Sequence, residues 1–160
     1  YCMLTTRIAQ ELDALDKVVE RAKRAFDFAI KNPGTQDLYL DATALNLHDF
    51  YTGLERVFYQ IATTIDESVP TSRNWHRELL IQMGNEWPLV RPAVISEETQ
   101  ELLDEYLRFR HVVRNIYAFE FDPERLGKLV QNLELVFSRI RNELHAFVLF
   151  LGKLVENNGD

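Results

Sequence analysis

The chain has 160 residues, 46% of them hydrophobic and 27% charged, with a net charge of −7. The length fits one domain, residues 1–160, and this composition suits a globular protein that buries its own core without staples. The acidic balance excludes a broad nucleic-acid-coating surface but leaves room for a local basic cleft, while the one cysteine, Cys2, excludes an intrachain disulfide and a thiolate metal site.

The elements read as helices in chain order. Ile8, Leu12, Leu15, Val19, Ala22, Phe26 and Ala29 recur at steps of four and three, which predicts a helix over Thr6–Lys31. Asn32-Pro33-Gly34 ends it. A second helix is expected over Gln36–Ile65, with Leu40, Leu47, Leu54, Phe58 and Ile61 along one side and Leu38, Leu45 and Phe50 beside them. Gly53 in its middle costs about 1 kcal/mol relative to Ala, and such a glycine often admits another backbone closely. Ser68–Arg73 reads as a loop, Trp75–Met83 as a short helix, and Gly84–Val94, with Pro88 and Pro92, as irregular.

Ser96 caps the next long helix, with Glu97 and Glu98 in its first turn. Leu102, Tyr106, Phe109, Val113 and Ile116 share its apolar arc; Arg108, His111 and Asn115 fall opposite, with Arg114 on the flank. Asp122-Pro123-Glu124 starts the last helix, which runs to about Glu156 on Leu126, Leu129, Val130, Leu133, Phe137, Ile140, Leu144, Phe147, Leu151 and Val155. No stretch alternates like a strand. The expected fold is all-α, an antiparallel bundle of four long helices plus one short one. No apolar run approaches the ~20 residues of a membrane span. No basic-then-apolar opening marks a signal peptide, and the cysteine usage suits a reducing compartment, so a cytoplasmic location is expected.

Residues 108–117, Arg-Phe-Arg-His-Val-Val-Arg-Asn-Ile-Tyr, gather three arginines, a histidine and an asparagine. Complementarity to the helix dipole accounts for bases at a helix C-terminus, but not for His111 and Asn115. His111 and Arg114 are spaced i, i+3, and Asn115 is i+4 from His111, so all three can meet one ligand. Cleaving RNA without a metal takes a base for the 2′-hydroxyl and a cation for the charge on phosphorus. A solvated polar face or a polar dimer contact reads equally well from residue types alone.

The other candidates are weaker. Trp75 reads as core and His76 as part of a helix N-terminal turn, His48 and Asp49 as surface residues, and His145 as a lone packing or solvent-facing group. Glu55 and Arg56 either pair with each other or leave Glu55 to orient an arginine across the bundle. Histidine spacing typical of a metal site is absent, as is a phosphate-cradling glycine loop, so no metal, cofactor or P-loop chemistry is expected. Phe26, Phe58, Phe137 and Phe147 read as core.

Four segments in order carry a family resemblance: Phe50-Tyr-Thr-Gly-Leu-Glu-Arg, Trp75-His-Arg-Glu-Leu-Leu, Arg108 to Tyr117, and Asp122-Pro-Glu-Arg-Leu. Together, over roughly residues 5–155, they resemble the HepT-like branch of the HEPN superfamily. The resemblance implies a dimerising helical bundle, and in active members a metal-independent endoribonuclease. Many such proteins are toxins paired with a small MNT-type nucleotidyltransferase antitoxin. The superfamily signature is Arg, a polar residue, a short gap and then His, near the end of the penultimate long helix. Arg114-Asn115 matches its first two positions. Phe119 stands where the His is expected, and Phe121 where related toxins carry the Tyr that the antitoxin modifies.

Two expectations follow. The first is an RNA-cleaving homodimer whose shared cleft holds Arg114 at the phosphate, His111 as general acid or base, and Asn115 as a positioning group. Arg108 and Arg110 would guide the RNA backbone, Glu55 and His76 would support the site, and Tyr117 would take the modification. The second, favoured by Phe119, is a catalytically silent HEPN protein that binds a nucleotidyltransferase as partner or accessory subunit.

Overall fold

A computed structural model describes residues 1–115, 121–157 and 159. It contains five α-helices: α1 over Cys2–Lys31, α2 over Gln36–Ile61, α3 over Trp75–Gly84, α4 over Glu97–Asn115 and α5 over Pro123–Asn157. A 3-10 turn, Pro33–Thr35, joins α1 to α2, and a π-type turn, Ala62–Asp66, extends α2. Among the described residues there is no strand; one isolated bridge pairs Trp87 with Arg91. The all-α bundle expected from the sequence is the fold.

α1 begins a turn earlier than the periodicity suggested. Leu4 is buried and extends the stripe of Ile8, Leu12, Leu15, Val19, Ala22 and Ala29 toward the N-terminus. Phe26 is only half-buried and lies across Gly127 of α5, where an added Cβ would stand 3.0 Å from its Cζ. Lys23 of α1 also reaches Glu134 of α5 at 3.1 Å, so α1 and α5 run antiparallel.

α2 is the central helix. Gly53 sits against α1, where a Cβ would come within 2.7 Å of Leu15 Cδ2, and Arg56 donates to Glu11 at 2.8 Å. Because α2 is covered by α1 on one side and by α4 and α5 on another, it buries a broad arc that includes Thr43, Leu47, Phe50, Tyr51, Leu54, Val57 and Phe58. Leu38 and Leu45 do not join that arc as expected. They are 63% and 59% exposed and share the outward face with Tyr59. Residues seven apart return to the same helix face, so these positions point away together.

α4 and α5 are antiparallel neighbours. Ser96 Oγ accepts the Thr99 amide as an N-cap, and Glu143 of α5 accepts from the Ser96 amide at 2.7 Å and the Thr99 hydroxyl at 2.5 Å. Tyr106 donates its hydroxyl to the Leu129 carbonyl at 2.7 Å. Phe50 ties the layers together, meeting the Tyr106 and Phe137 rings edge-on with centroids 5.4 and 6.2 Å apart. Edge-to-face packing suits the aromatic quadrupole. One apolar core draws on all five helices.

The α3–α4 connection is pinned from beneath by a buried ion pair. Arg91 Nε and Nη2 donate to the Asp66 carboxylate at 2.5 and 2.7 Å. Its remaining donors reach the carbonyls of Asn85, Pro92 and Gln82. Both side chains are fully buried. Such a charge pair is tolerated only when its hydrogen-bonding capacity is met, as it is here. Above it, Leu89 is fully exposed with a left-handed φ of 65°.

Candidate functional site

The C-terminal half of α4 carries the cluster of cations and polar groups, and one member of it, Arg110, lies where its expected role of guiding RNA does not fit. Arg110 is not on the solvent side; it is 4% exposed and belongs to the arc of Leu103, Leu107 and Arg110. α4 is clasped by α2 and α3 on one side and α5 on the other, so a second arc turns inward beside Tyr106 and Phe109. An inward Arg110 is in no position to lead an RNA backbone in from solvent.

Beneath that cluster lies a polar seam between α2, α3 and α4. On α2, His48, Tyr51 and Glu55 fall at i, i+3 and i+7, the spacing of one helix face. Glu55 accepts or shares a proton with His76 Nδ1 of α3 at 2.7 Å, and their side chains are 10% and 16% exposed. The His76 ring stacks on Trp75 with centroids 3.6 Å apart. This fixes the imidazole from two directions. Arg56 is taken by Glu11, so the Glu55–Arg56 pair considered from sequence is not formed.

Arg110 brings a guanidinium into the same seam. Burial lowers its proton affinity, the nearby Glu55 carboxylate opposes that, and Arg114 adds to the lowering. Among the described residues its buried Nε has no hydrogen-bond partner. Burial pushes the Tyr51 phenol well above its ordinary range, with Glu55 adding to the effect, so it stays a neutral hydroxyl. Arg77 of α3 holds Asp104 of α4 in a tight ion pair, and Asp104 also receives Arg108 at 2.9 Å. Arg108 is exposed, but this intrahelical bond restrains it.

Beyond the seam, His111, Arg114 and Asn115 are exposed. Asn115 Nδ2 donates to the His111 carbonyl at 2.7 Å, which engages one of its two amide donors with the helix's own backbone. His48 reaches this end from α2. Sequence reasoning left it as a surface residue, yet its side chain is only 21% exposed. Burial lowers its proton affinity, Arg110 lowers it further, Asp49 opposes and Arg114 lowers it again. The signal that could have found it is the His48–Tyr51–Glu55 spacing, one polar face on a helix otherwise buried there. His145 is exposed on α5, away from this seam.

Tyr117 and Phe119, with the expected arc position Ile116, lie outside the described residues. Phe121 is half-buried, its ring 6.1 Å from that of Phe109. Among the described residues no group of three or more His, Cys, Asp or Glu side chains could hold a metal ion. No helix is long and apolar enough to cross a membrane among those residues.

The arrangement can bind an anion at the exposed guanidinium of Arg114 while two imidazoles stand within reach of α4's last turns. The charges beneath are held by a network that solvent barely enters. A family model described as HepT-like protein matches residues 42–151, from within α2 to within α5, and covers every residue of the seam. No curated protein and no solved structure matches the chain. More than half of the sequence is covered by that family model, and the chain belongs to the HepT-like family of the HEPN superfamily.

Proposed function

We propose that this protein is a ribonuclease toxin of the HEPN type that cleaves a single RNA strand, in tRNA or mRNA, in the cytoplasm. The observation that carries the reading is the exposed Arg114 at the last described turn of α4, backed by the Glu55–His76 hydrogen bond and the buried Arg110, whose charge Glu55 favours. The guanidinium would hold the scissile phosphate and offset charge developing on it. Removing one such donor typically costs about 10²–10³ in rate. His111 serves as general acid or base, and Asn115 positions the strand. Arg108 adds charge at the edge of the cleft. Arg110 acts from below, through its field rather than by touching RNA.

The working form is a homodimer with the Arg114 faces of two copies lining one cleft. The outward Leu38, Leu45 and Tyr59 of α2 supply apolar surface suited to association. The antitoxin partner is a nucleotidyltransferase of the MNT type, with Tyr117 as the residue it modifies. A modified mass on Tyr117 after incubation with that enzyme and ATP would support this; an unmodified peptide would remove it.

A second reading has its own support. Phe119 occupies the place of the usual histidine, which favours a catalytically silent HEPN protein acting as the partner of a nucleotidyltransferase. The decisive experiment is cleavage of total tRNA with EDTA present, by wild type and Arg114→Ala purified alike. Cleavage lost in the variant establishes the ribonuclease. No cleavage by either, with helicity intact by circular dichroism, favours the silent reading.

A further inference from the structure

In the sequence Phe119 stands where the family's imidazole is expected, and the first substitute, His111 of α4, sits on that helix's exposed outer side. Another histidine approaches the arginines from the opposite wall. α2 runs antiparallel to α1, α1 to α5 and α5 to α4, so α2 and α4 are antiparallel. Their register is set where Phe50 meets Tyr106. One and two turns onward along α4 come Arg110 and Arg114; half a turn back along α2 comes His48, displaced toward the same end of the seam. A phosphate bound at Arg114 would therefore have α4 on one side and His48 of α2 on the other.

Resting on the ribonuclease reading, we propose that His48 is the general base of the RNA-cleaving site, replacing the imidazole lost at position 119. Its neutral ring takes the proton from the 2′-hydroxyl. The 2′ oxygen bonds to phosphorus, and the bond from phosphorus to the 5′ oxygen breaks. His111, left with the role of general acid, gives a proton to the leaving 5′ oxygen, and proton exchange through water then carries the proton held by His48 back to His111. The products are a 2′,3′-cyclic phosphate and a 5′-hydroxyl, with no oxidant, reductant or further reactant consumed.

The local chemistry suits that role. Nδ1 of His48 lies 3.8 Å from Asp49 Oδ1, beyond hydrogen-bond range, so the ring is biased but not tied. No hydrogen bond from either ring nitrogen to another group is present among the described residues. The charged groups acting on it are Asp49 on its own helix and Arg110 and Arg114 on α4, and the lowering effects outweigh Asp49. A half-buried imidazole in the field of two guanidiniums is less protonated than a free histidine at the same pH. It is then available as a base through the neutral range. The cleavage rate should climb with pH and reach half its plateau below the ordinary histidine midpoint.

The test combines kinetics with a direct titration. His48→Gln and His48→Ala are assayed on total tRNA in EDTA beside wild type, with circular dichroism and melting on each. Histidine ring signals are followed by NMR against pH in wild type and in Arg114→Ala. Cleavage should fall by about 100-fold or more in both His48 variants, the usual share of a general base, with helicity kept and the acid limb of the pH profile abolished. The His48 signal should titrate below the ordinary midpoint and move upward in Arg114→Ala. A His48→Gln protein that cleaves like an active wild type overturns the role of His48 alone. A His48 midpoint unmoved by Arg114→Ala overturns its placement beside Arg114, whatever the activity. A wild type that cleaves no RNA overturns the ribonuclease reading and this one with it.

Discussion

Glu55 serves two neighbours at once. It holds the His76 imidazole at 2.7 Å and offsets the buried charge of Arg110. Removing its charge weakens the hydrogen bond to His76 and leaves Arg110 without a compensating field; a buried polar group left unsatisfied typically costs about 1–3 kcal/mol. Glu55→Gln keeps the shape and removes the charge, so it should lower the melting temperature clearly. Glu55→Gln combined with Arg110→Met removes both charges and should recover most of that loss. Equal melting of wild type and the single variant would show that the pair contributes nothing. At this scale the sequence was only partly legible. Residue types marked His111, Arg114 and Asn115 because cations and an imidazole one turn apart are conspicuous in an acidic chain. They could not show that Arg110 points inward, since that depends on which two neighbours clasp α4. They also could not show that His48 is largely buried and within the field of the same arginines, because that link runs between helices far apart in sequence.

Helices meet closely at two glycines, with opposite consequences. At Gly53 a new Cβ would stand 2.7 Å from Leu15 Cδ2 and 2.9 Å from Glu11 Oε1. Leu15 is buried and Glu11 is held by Arg56 at 2.8 Å, so neither can move freely. Overpacking of this kind costs about 1–3 kcal/mol, while exchanging Gly for Ala in a helix gains about 1 kcal/mol. Gly53→Ala should therefore be neutral to destabilising despite its better helix propensity. At Gly84 the obstacle is the terminal amide of Gln100, the flexible end of a half-buried side chain. Gly84→Ala should be tolerated, with a melting shift near zero. Chemical denaturation of the two variants side by side checks both; a larger loss at Gly84 would reverse the argument. The elements themselves were largely legible. Apolar spacing, Asn32-Pro33-Gly34, Ser96 and Asp122-Pro123 marked helices and their ends through local chemistry. The misses were Leu38 and Leu45, apolar residues on an outward face. Spacing shows a face but not which partner covers it.

An acidic molecule with a small cationic outlet should bind RNA through few phosphates. Each single-strand phosphate neutralised contributes about −0.7 to the slope of log affinity against log salt. Contacts from Arg108 and Arg114, in one or both copies of a dimer, predict a slope of about −1.5 to −3. A much steeper slope in a salt titration would mean a wider basic surface than α4 offers. The whole-molecule architecture was readable from helix count and short connections, but the α3–α4 connection was not. It read as irregular from Pro88 and Pro92, and nothing nearby announces that Arg91 inserts beneath it toward Asp66. That pair gives the connection an unusual place in the molecule's motions. Amides of Arg91, Val94 and Ile95 are bonded to Trp87 and Met83, over a charge pair that water cannot reach without parting α2 from α3. In hydrogen exchange these loop amides should be protected like those of the core helices and open only in global unfolding. Leu89, a few residues away and fully exposed, should exchange at once.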